Sequence, residues 1–225
     1  MFDFSWSDLF AVEGSLIWTA IRETLRMSLI STLLAYALAI PIGIALVVTK
    51  KDGIFQNKTA NLILGTAVNL LRSVPFLLLA IFVIPFTRAL IGTAIGSTAM
   101  IVPLVIAATP FISRLVENAL SELDKSLIET AKSMGASRMK IIYKIYIPEC
   151  LPAIILTVGV ASITIQGFTA MAGILGGGGL GQVAFDYGFA RSDSAVTFAC
   201  IAILVVITQI MQGTAFLTHR MLNKK

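Results

Sequence analysis

Charge is scarce in this chain of 225 residues: Asp, Glu, Lys and Arg make up 13%, against about a quarter in ordinary soluble domains. So little charge cannot coat a globular surface, and with 57% hydrophobic residues and a mean hydropathy of +0.91 the chain reads as a membrane protein. Histidine and cysteine are nearly missing. The two cysteines, Cys150 and Cys200, sit in apolar runs with no CxxC or His-rich companion, which excludes a disulfide framework or a zinc site and leaves them as small packing residues. His219 stands alone near the end of the last apolar run. With no nucleophile beside a base, no paired carboxylates and no metal-ligand cluster in view, an intramembrane enzyme is a remote reading and none is expected. Seventeen basic residues against twelve acidic ones give +5, but they are dispersed, whereas a nucleic-acid module gathers its basic residues into a patch. The length suits one membrane domain, so any second activity is expected from a partner. The start, Met1 to Arg26, carries Asp3, Asp8, Glu13 and Glu23 and lacks the basic start and short apolar core of a cleaved signal peptide.

A bilayer core about 30 Å thick needs about 20 helical residues. Charge-free stretches place spans at Met27–Thr49, at Thr59–Thr87 as one helix interrupted only by Arg72, at Ala89–Ser113, at Cys150 to about Gly173, and at Ser194–Thr218. No segment alternates apolar and polar residues as a membrane barrel requires, so the expected fold is all-α, a polytopic bundle of five transmembrane helices. Five spans put the termini on opposite sides. One side collects Lys50, Lys51, Lys58, Arg114, Lys125, Lys132, Arg138, Lys140, Lys144, Arg220, Lys224 and Lys225, and the other has Arg22, Arg26, Arg88 and Arg191. Twelve against four places the N-terminus outside and the C-terminus in the cytoplasm, and it accounts for the basic surplus. Trp18, Tyr143 and Tyr146 stand where interfacial rings are expected. Pro41, Pro75, Pro103 and Pro110 interrupt apolar runs, which a bundle tolerates because neighbouring helices satisfy the freed groups.

The one substantial polar stretch runs from Arg114 to Glu149. Ser126 followed by Glu129 has capping-box spacing, and Gly135 suits the left-handed residue that ends a short helix. Ser137 is placed to cap a second helix carrying Met139, Ile142, Tyr143 and Tyr146, which Pro148 is expected to close. Two short surface helices joined at Gly135 would form a projecting knob, a docking device on the cytoplasmic side.

Glu129-Thr130-Ala131, then Gly135, then Ile145, Ile147 and Pro148 resemble the EAA motif of bacterial ABC importer permeases, E-A-A, three residues, G, nine residues, I-x-L-P, with Thr130 and Ile147 as mild departures. The resemblance implies a type I ABC importer permease fold whose loop is a coupling helix, inserting into a groove on a separate ATP-hydrolysing subunit. For Glu129 two roles stand open, a helix cap and a polar contact with that partner. Gly135 permits a sharp turn and close approach of another backbone.

Further resemblance, from about Ala20 to Gly213, is to the methionine importer permeases. It rests on Glu23-Thr24-Leu25, Arg72-Ser73-Val74-Pro75-Phe76, Ile84-Pro85-Phe86-Thr87-Arg88, Pro110-Phe111-Ile112, Val116-Glu117-Asn118-Ala119-Leu120, and Ala170-Met171 followed by Gly176 to Gly181. Phe168-Thr169 stands where the family is expected to have Tyr-Ser, and Gln166 is also unusual. The resemblance implies a permease subunit of the bacterial inner membrane that translocates methionine, the L form with D-methionine and related amino acids as further candidates. On this resemblance it would work with a second copy of itself, two ATPase subunits and a periplasmic or lipid-anchored binding protein. No cofactor is expected on this chain, ATP and magnesium belonging to the ATPase. Residues 1–19 would be an outer-side segment, 20–213 the transmembrane domain with the coupling loop at 114–149, and 214–225 a cytoplasmic tail.

Inside the membrane, Arg72 is the ionisable residue the spans enclose; it either snorkels to the interface and caps carbonyls freed by Pro75, or lines the inner path with Ser73. Gln166, Thr164, Thr169 and Asn69 either bond between helices or meet a passing zwitterion, and Met171 is a candidate hydrophobic gate. Gly176-Gly177-Gly178-Gly179-Leu180-Gly181 lacks the Lys-Ser/Thr of a phosphate loop and reads as a flexible outer connection facing the binding protein. The alternatives are a permease for another small amino acid and a stand-alone secondary transporter, though coupling-ion carboxylates within spans and internal repeats are both missing.

Overall fold

The computed structural model describes residues 14–222; Asp3, Asp8 and Glu13, like Lys224 and Lys225 of the basic tally, lie outside them. The described residues are helical, with no strand. In chain order the helices are α1 (Gly14–Thr49), α2 (Lys58–Ser73), α3 (Phe76–Ile91), α4 (Ser97–Ser121), α5 (Lys125–Ser133), α6 (Arg138–Ile141), α7 (Ile147–Ala172), α8 (Gly179–Val183) and α9 (Ser194–Leu222). Wider π-helical turns occupy Ile142–Tyr146, Gly173–Gly177 and Ala184–Phe189. Four helical stretches are long and apolar enough to cross a membrane, Ser15–Thr49, Ser97–Ser121, Arg138–Gly177 and Ser194–Leu222, and the α2/α3 pair makes a fifth if it counts as one span.

That pair corrects the single helix expected across 59–87: α2 and α3 meet at 107°. The cause is Pro75, which lacks a backbone donor and forces the preceding residue out of the helical region; Val74 adopts φ −80, ψ 123. At 16 residues each, neither helix reaches the length of about 20 that a straight crossing needs. The third span shifts as well, from the expected Ala89–Ser113 to Ser97–Ser121, because Gly92 in the left-handed region ends α3. Consequently Arg114 and Glu117, assigned to a loop by the sequence, belong to a spanning helix.

α4 is the axis of the bundle, 72% of its most apolar window being buried. Its small side chains, among them Ala99, Ala107, Ala108, Ser113 and Ala119, let α1 cross closely, as small residues do in membrane interfaces. Hydroxyls inside this packing bond back onto their own helix: Thr109 donates to the Val105 carbonyl (2.7 Å) and Ser113 to the Thr109 carbonyl (2.8 Å). α7 packs on α4 and α9 packs on α7, the latter two tied by His219 Nδ1, which lies 2.8 Å from the Pro152 carbonyl. Tyr36 of α1 meets Thr157 of α7 at 2.9 Å.

The connections sort onto two ends. At one lie the start of α1, the loop between α3 and α4 and the glycine run, where the Gly96 N–H donates to the Gly176 carbonyl (2.9 Å). At the other the loop after α1 packs under α5 and α6: Ile54 shares a buried cluster with Ile128, Ala131 and Ile141, and the Arg138 guanidinium lies 5.4 Å from the Phe55 ring centroid. Lys50, Lys51, Lys58, Lys125, Lys132, Lys140 and Lys144 all belong to elements of this second end.

Candidate functional site

The projecting knob is present, with two changes of detail. The cap of α5 is Asp124, whose Oδ1 accepts the Ser126 N–H at 2.9 Å, rather than the Ser126/Glu129 box; the bonds from Ser126 hold the Asp124 carboxyl below the usual carboxylate range. Glu129 is thereby freed from capping. α5 is anchored by Ile128 and Ala131, both buried, while Glu129 and Thr130 are exposed. Its end is a Schellman turn. Gly135 sits at φ +77, its N–H donates to the Lys132 carbonyl (2.9 Å), and the Ala136 N–H donates to the Ala131 carbonyl (3.0 Å). Ser137 then caps α6, accepting the Lys140 N–H at 3.4 Å.

The second change concerns Pro148. It does not close a surface helix: α6 runs through the π-helical turn 142–146 into α7 without a break. Pro148 cannot donate to the carbonyl four residues back, and the wider turn takes up that mismatch, the Ile147 N–H reaching the Ile142 carbonyl instead. The two arms of the knob therefore differ. One is a short capped helix, the other the root of a span-length rod. Ile145 and Ile147 are half-buried and Pro148 is exposed. Leu127, Met134, Met139 and Tyr143 of the same two arms are 43%, 82%, 50% and 61% exposed, an exposed apolar content of the sort that marks a protein contact. Beside the arms, an open depression of about 880 Å³ is bounded by Gly53, Phe55, Asn57, Lys132 and Arg138.

The candidate pathway residues fall into two groups. Arg72 in the last turn of α2, Ser73 and Pro75 gather at the break and are all exposed, Ser73 donating to the Asn69 carbonyl at 2.9 Å. The break meets α7 through Phe76, whose ring stacks on Phe168 with centroids 4.8 Å apart. On α7, Met171 is exposed, whereas Thr169 is buried and donates to the Ile165 carbonyl (2.8 Å). Gln166 is buried against α9, its Nε2 reaching the Met211 sulfur at 3.6 Å while Oε1 has no partner.

Two arrangements escaped the sequence reading. Arg114 of α4 donates to Glu117 (2.6 Å), to the Gly65 carbonyl (2.9 Å) and to Asn69 Oδ1 (3.0 Å). The i,i+3 placing of Arg114 and Glu117 was a legible sign of helix, hidden by ending the span at the first charge. At the other end, the glycine run is pinned rather than flexible. Glu23 accepts the Gly179 N–H (2.7 Å) and Thr24 the Leu180 N–H (2.9 Å), capping α8 from α1. Gln182 accepts the Gly178 N–H at 3.0 Å and donates to Asp186 at 3.2 Å.

A membrane bundle with one broken span and a capped, protruding loop rooted in a second span defines a multi-pass transport subunit. Over residues 37–222 the chain matches the family described as binding-protein-dependent transport system inner membrane component. It belongs to that family. Among its relatives, a probable D-methionine transport system permease protein of Vibrio cholerae (MetI) is 46% identical over 91% of both chains. A methionine import system permease protein of Bacillus subtilis (MetP) is 42% identical over 93% of this chain and 94% of its own. Among solved structures, the MetNI methionine ABC transporter in inward-facing conformations matches with a TM-score of 0.92 at 36% identity, covering 94% of this chain and 98% of that one.

Proposed function

We propose that this chain is the permease subunit of an ATP-driven importer that carries methionine across the bacterial inner membrane, N-terminus outside and C-terminus in the cytoplasm. The observation that carries the reading is the knob from Asp124 to Pro148, which leaves Glu129 and Thr130 exposed together with the apolar Leu127, Met134, Met139 and Tyr143 and runs directly into α7. Glu129, Thr130, Ala131, Gly135, Ile145, Ile147 and Pro148 form the coupling site: the first two touch the ATPase, Ala131 seats the helix, Gly135 sets the turn, and the last three root it. The chain acts as a pair, because one bundle of this size encloses no path by itself and symmetry supplies the second wall. Each copy docks one ATPase subunit, which holds ATP and magnesium, and a binding protein delivers substrate outside. Arg72, Ser73, Pro75 and Met171 face the path, with Gln166 and Thr169 packed behind them. The names and identities of the relatives support methionine as cargo.

The test is purification of the chain with its candidate ATPase, followed by methionine uptake into proteoliposomes with ATP and the binding protein. Co-purification and ATP-dependent uptake are expected. Uptake by this chain alone, without an ATPase, would establish a secondary carrier instead, and ATP-driven uptake of a different amino acid would retain the importer and replace the cargo.

A further inference from the structure

Within one chain α2 is poorly anchored by apolar contact, Val68 being its buried residue. Polar ties position it. At its start Asn61 Nδ2 donates to the Leu46 carbonyl (2.8 Å) and to Thr49 Oγ1 (3.0 Å), fixing the base to α1. About one and about two turns further on, Gly65 and Asn69 present two acceptors on one helix face, four residues apart. Both are engaged by Arg114 Nη2, at 2.9 and 3.0 Å, while Nη1 is held by Glu117 at 2.6 Å. The guanidinium fork suits this division, one arm bonded along its own helix and the other reaching across. A Cβ at Gly65 would stand 3.4 Å from Nη2, an ordinary contact, so the bond rests on the backbone carbonyl and not on the missing side chain. The side chain is 22% exposed, enough burial to strengthen these bonds relative to open water.

The position in the chain gives this network its meaning. α4 passes from Arg114 to Ser121 and enters α5 within a few residues. α2 passes from Asn69 to the Pro75 break, and α3 beyond it stacks on α7 through Phe76. One end of the knob is continuous with α7; the other can reach the broken span through Arg114.

We propose that Arg114 is a positioning residue that transmits movement of the α5 knob across to α2, so that the Pro75 break shifts with the ATPase. The inference rests on the import reading above. Losing the bond between helices should loosen transmission while leaving docking on Glu129 and Thr130, and hence ATP hydrolysis, in place.

The experiment reads methionine imported per ATP hydrolysed by the full complex in proteoliposomes. Asn69→Leu, which removes one acceptor at similar volume, is expected to lower that ratio about fivefold, the effect of one net hydrogen bond. Asn69→Asp, which restores an acceptor, is expected to keep it near the original. A ratio unmoved by Asn69→Leu, whether both rates persist or fall together, overturns the proposal. Glu117→Gln weakens the hold on the guanidinium and carries the same test should Asn69→Leu fail to assemble, a lower ratio supporting the proposal and an equal one overturning it. If the unsubstituted complex imports no methionine under ATP, the import reading falls and this inference with it; if it imports and the variants leave the ratio alone, only this inference falls.

Discussion

Gly135 separates two explanations of the knob. A glycine can be required because its backbone lies in the left-handed region or because a partner's backbone comes too close for a side chain. At φ +77 with nothing within 4 Å of an added Cβ, the first reason holds within this chain, and the second concerns the ATPase alone. The left-handed conformation costs an alanine roughly 1–2 kcal/mol, and asparagine visits it more readily. A β-branched residue is worse placed than either. About 1–2 kcal/mol shifts the turn's equilibrium about fivefold to thirtyfold. The penalty falls on a helix seated through Ile128 and Ala131, so loss of the two Schellman bonds releases α5. If conformation governs, methionine uptake by the reconstituted complex should decline in the order glycine, Gly135→Asn, Gly135→Ala, Gly135→Val. Asparagine should stay nearest the unsubstituted rate, and ATPase stimulation should follow the same order. If Gly135→Asn proves as damaging as Gly135→Val, the reasoning is refuted, because all three variants add the same Cβ and differ chiefly in tolerance of positive φ.

Two further outcomes concern the frame. Gly43→Ala would bring a Cβ within 2.7 Å of Val116 Cγ1, 2.8 Å of Val116 Cβ and 3.0 Å of the Ser113 carbonyl, so overpacking of about 1–3 kcal/mol is expected. Val116→Ala should rescue it only in part, since the Cβ and carbonyl contacts remain; thermal unfolding in detergent measures both, and full stability of Gly43→Ala would contradict so close a crossing of α1 and α4. For Asp124 the sign follows from its depressed carboxyl: the cap is fully present above the ordinary carboxylate value and is lost only as pH falls through the lowered one. Hydrogen exchange of the first α5 amides, corrected for intrinsic rates, should therefore stay flat across the neutral range and quicken in acid, and quickening near neutrality would remove Asp124 from that role.

The sequence disclosed composition, the number of apolar stretches and the turn chemistry well, and helix boundaries poorly. Gly135 and Ser137 occupy their expected places because left-handed glycine and hydroxyl caps act locally. The 107° bend at Pro75 was not legible as a bend, since proline kinks one helix and breaks another, and which occurs depends on how Phe76 packs on Phe168 across the bundle. Counting charge-free residues ended the third span at Ser113, although Arg114 is accommodated inside the helix by acceptors on α2 that lie 49 and 45 residues earlier. Such long-range pairing leaves no periodic trace. The glycine run misled for the same reason: its composition reads as freedom, but Glu23 and Thr24, each 156 residues from the N–H group it accepts, remove that freedom.

The irregularities of backbone and the buried charge fall along one mechanical line. A uniform helix transmits an axial push but cannot redirect it, so a bundle that must open needs both stiff members and defined places to bend. α6, the π-helical turn and α7 supply the stiff member: from Arg138 to Leu175 the helical path continues until Gly176 turns it at φ +84, about 57 Å at 1.5 Å per residue, far more than the membrane core demands. The bends are supplied where the chain omits donors or side chains, at Val74-Pro75 and at the glycines beyond α7. Those glycines are locked to α1, whereas the Pro75 break is joined to α7 by the Phe76–Phe168 stack, to α4 by the buried cluster of Phe76, Leu79, Ala80 and Val83 with Met100 and Leu104, and, through α2, to Arg114. Of the two bends, the one near Pro75 has the direct polar connection toward the knob. Motion delivered at α5 should be spent there, and the glycine end should remain fixed as the anchor against which the span turns.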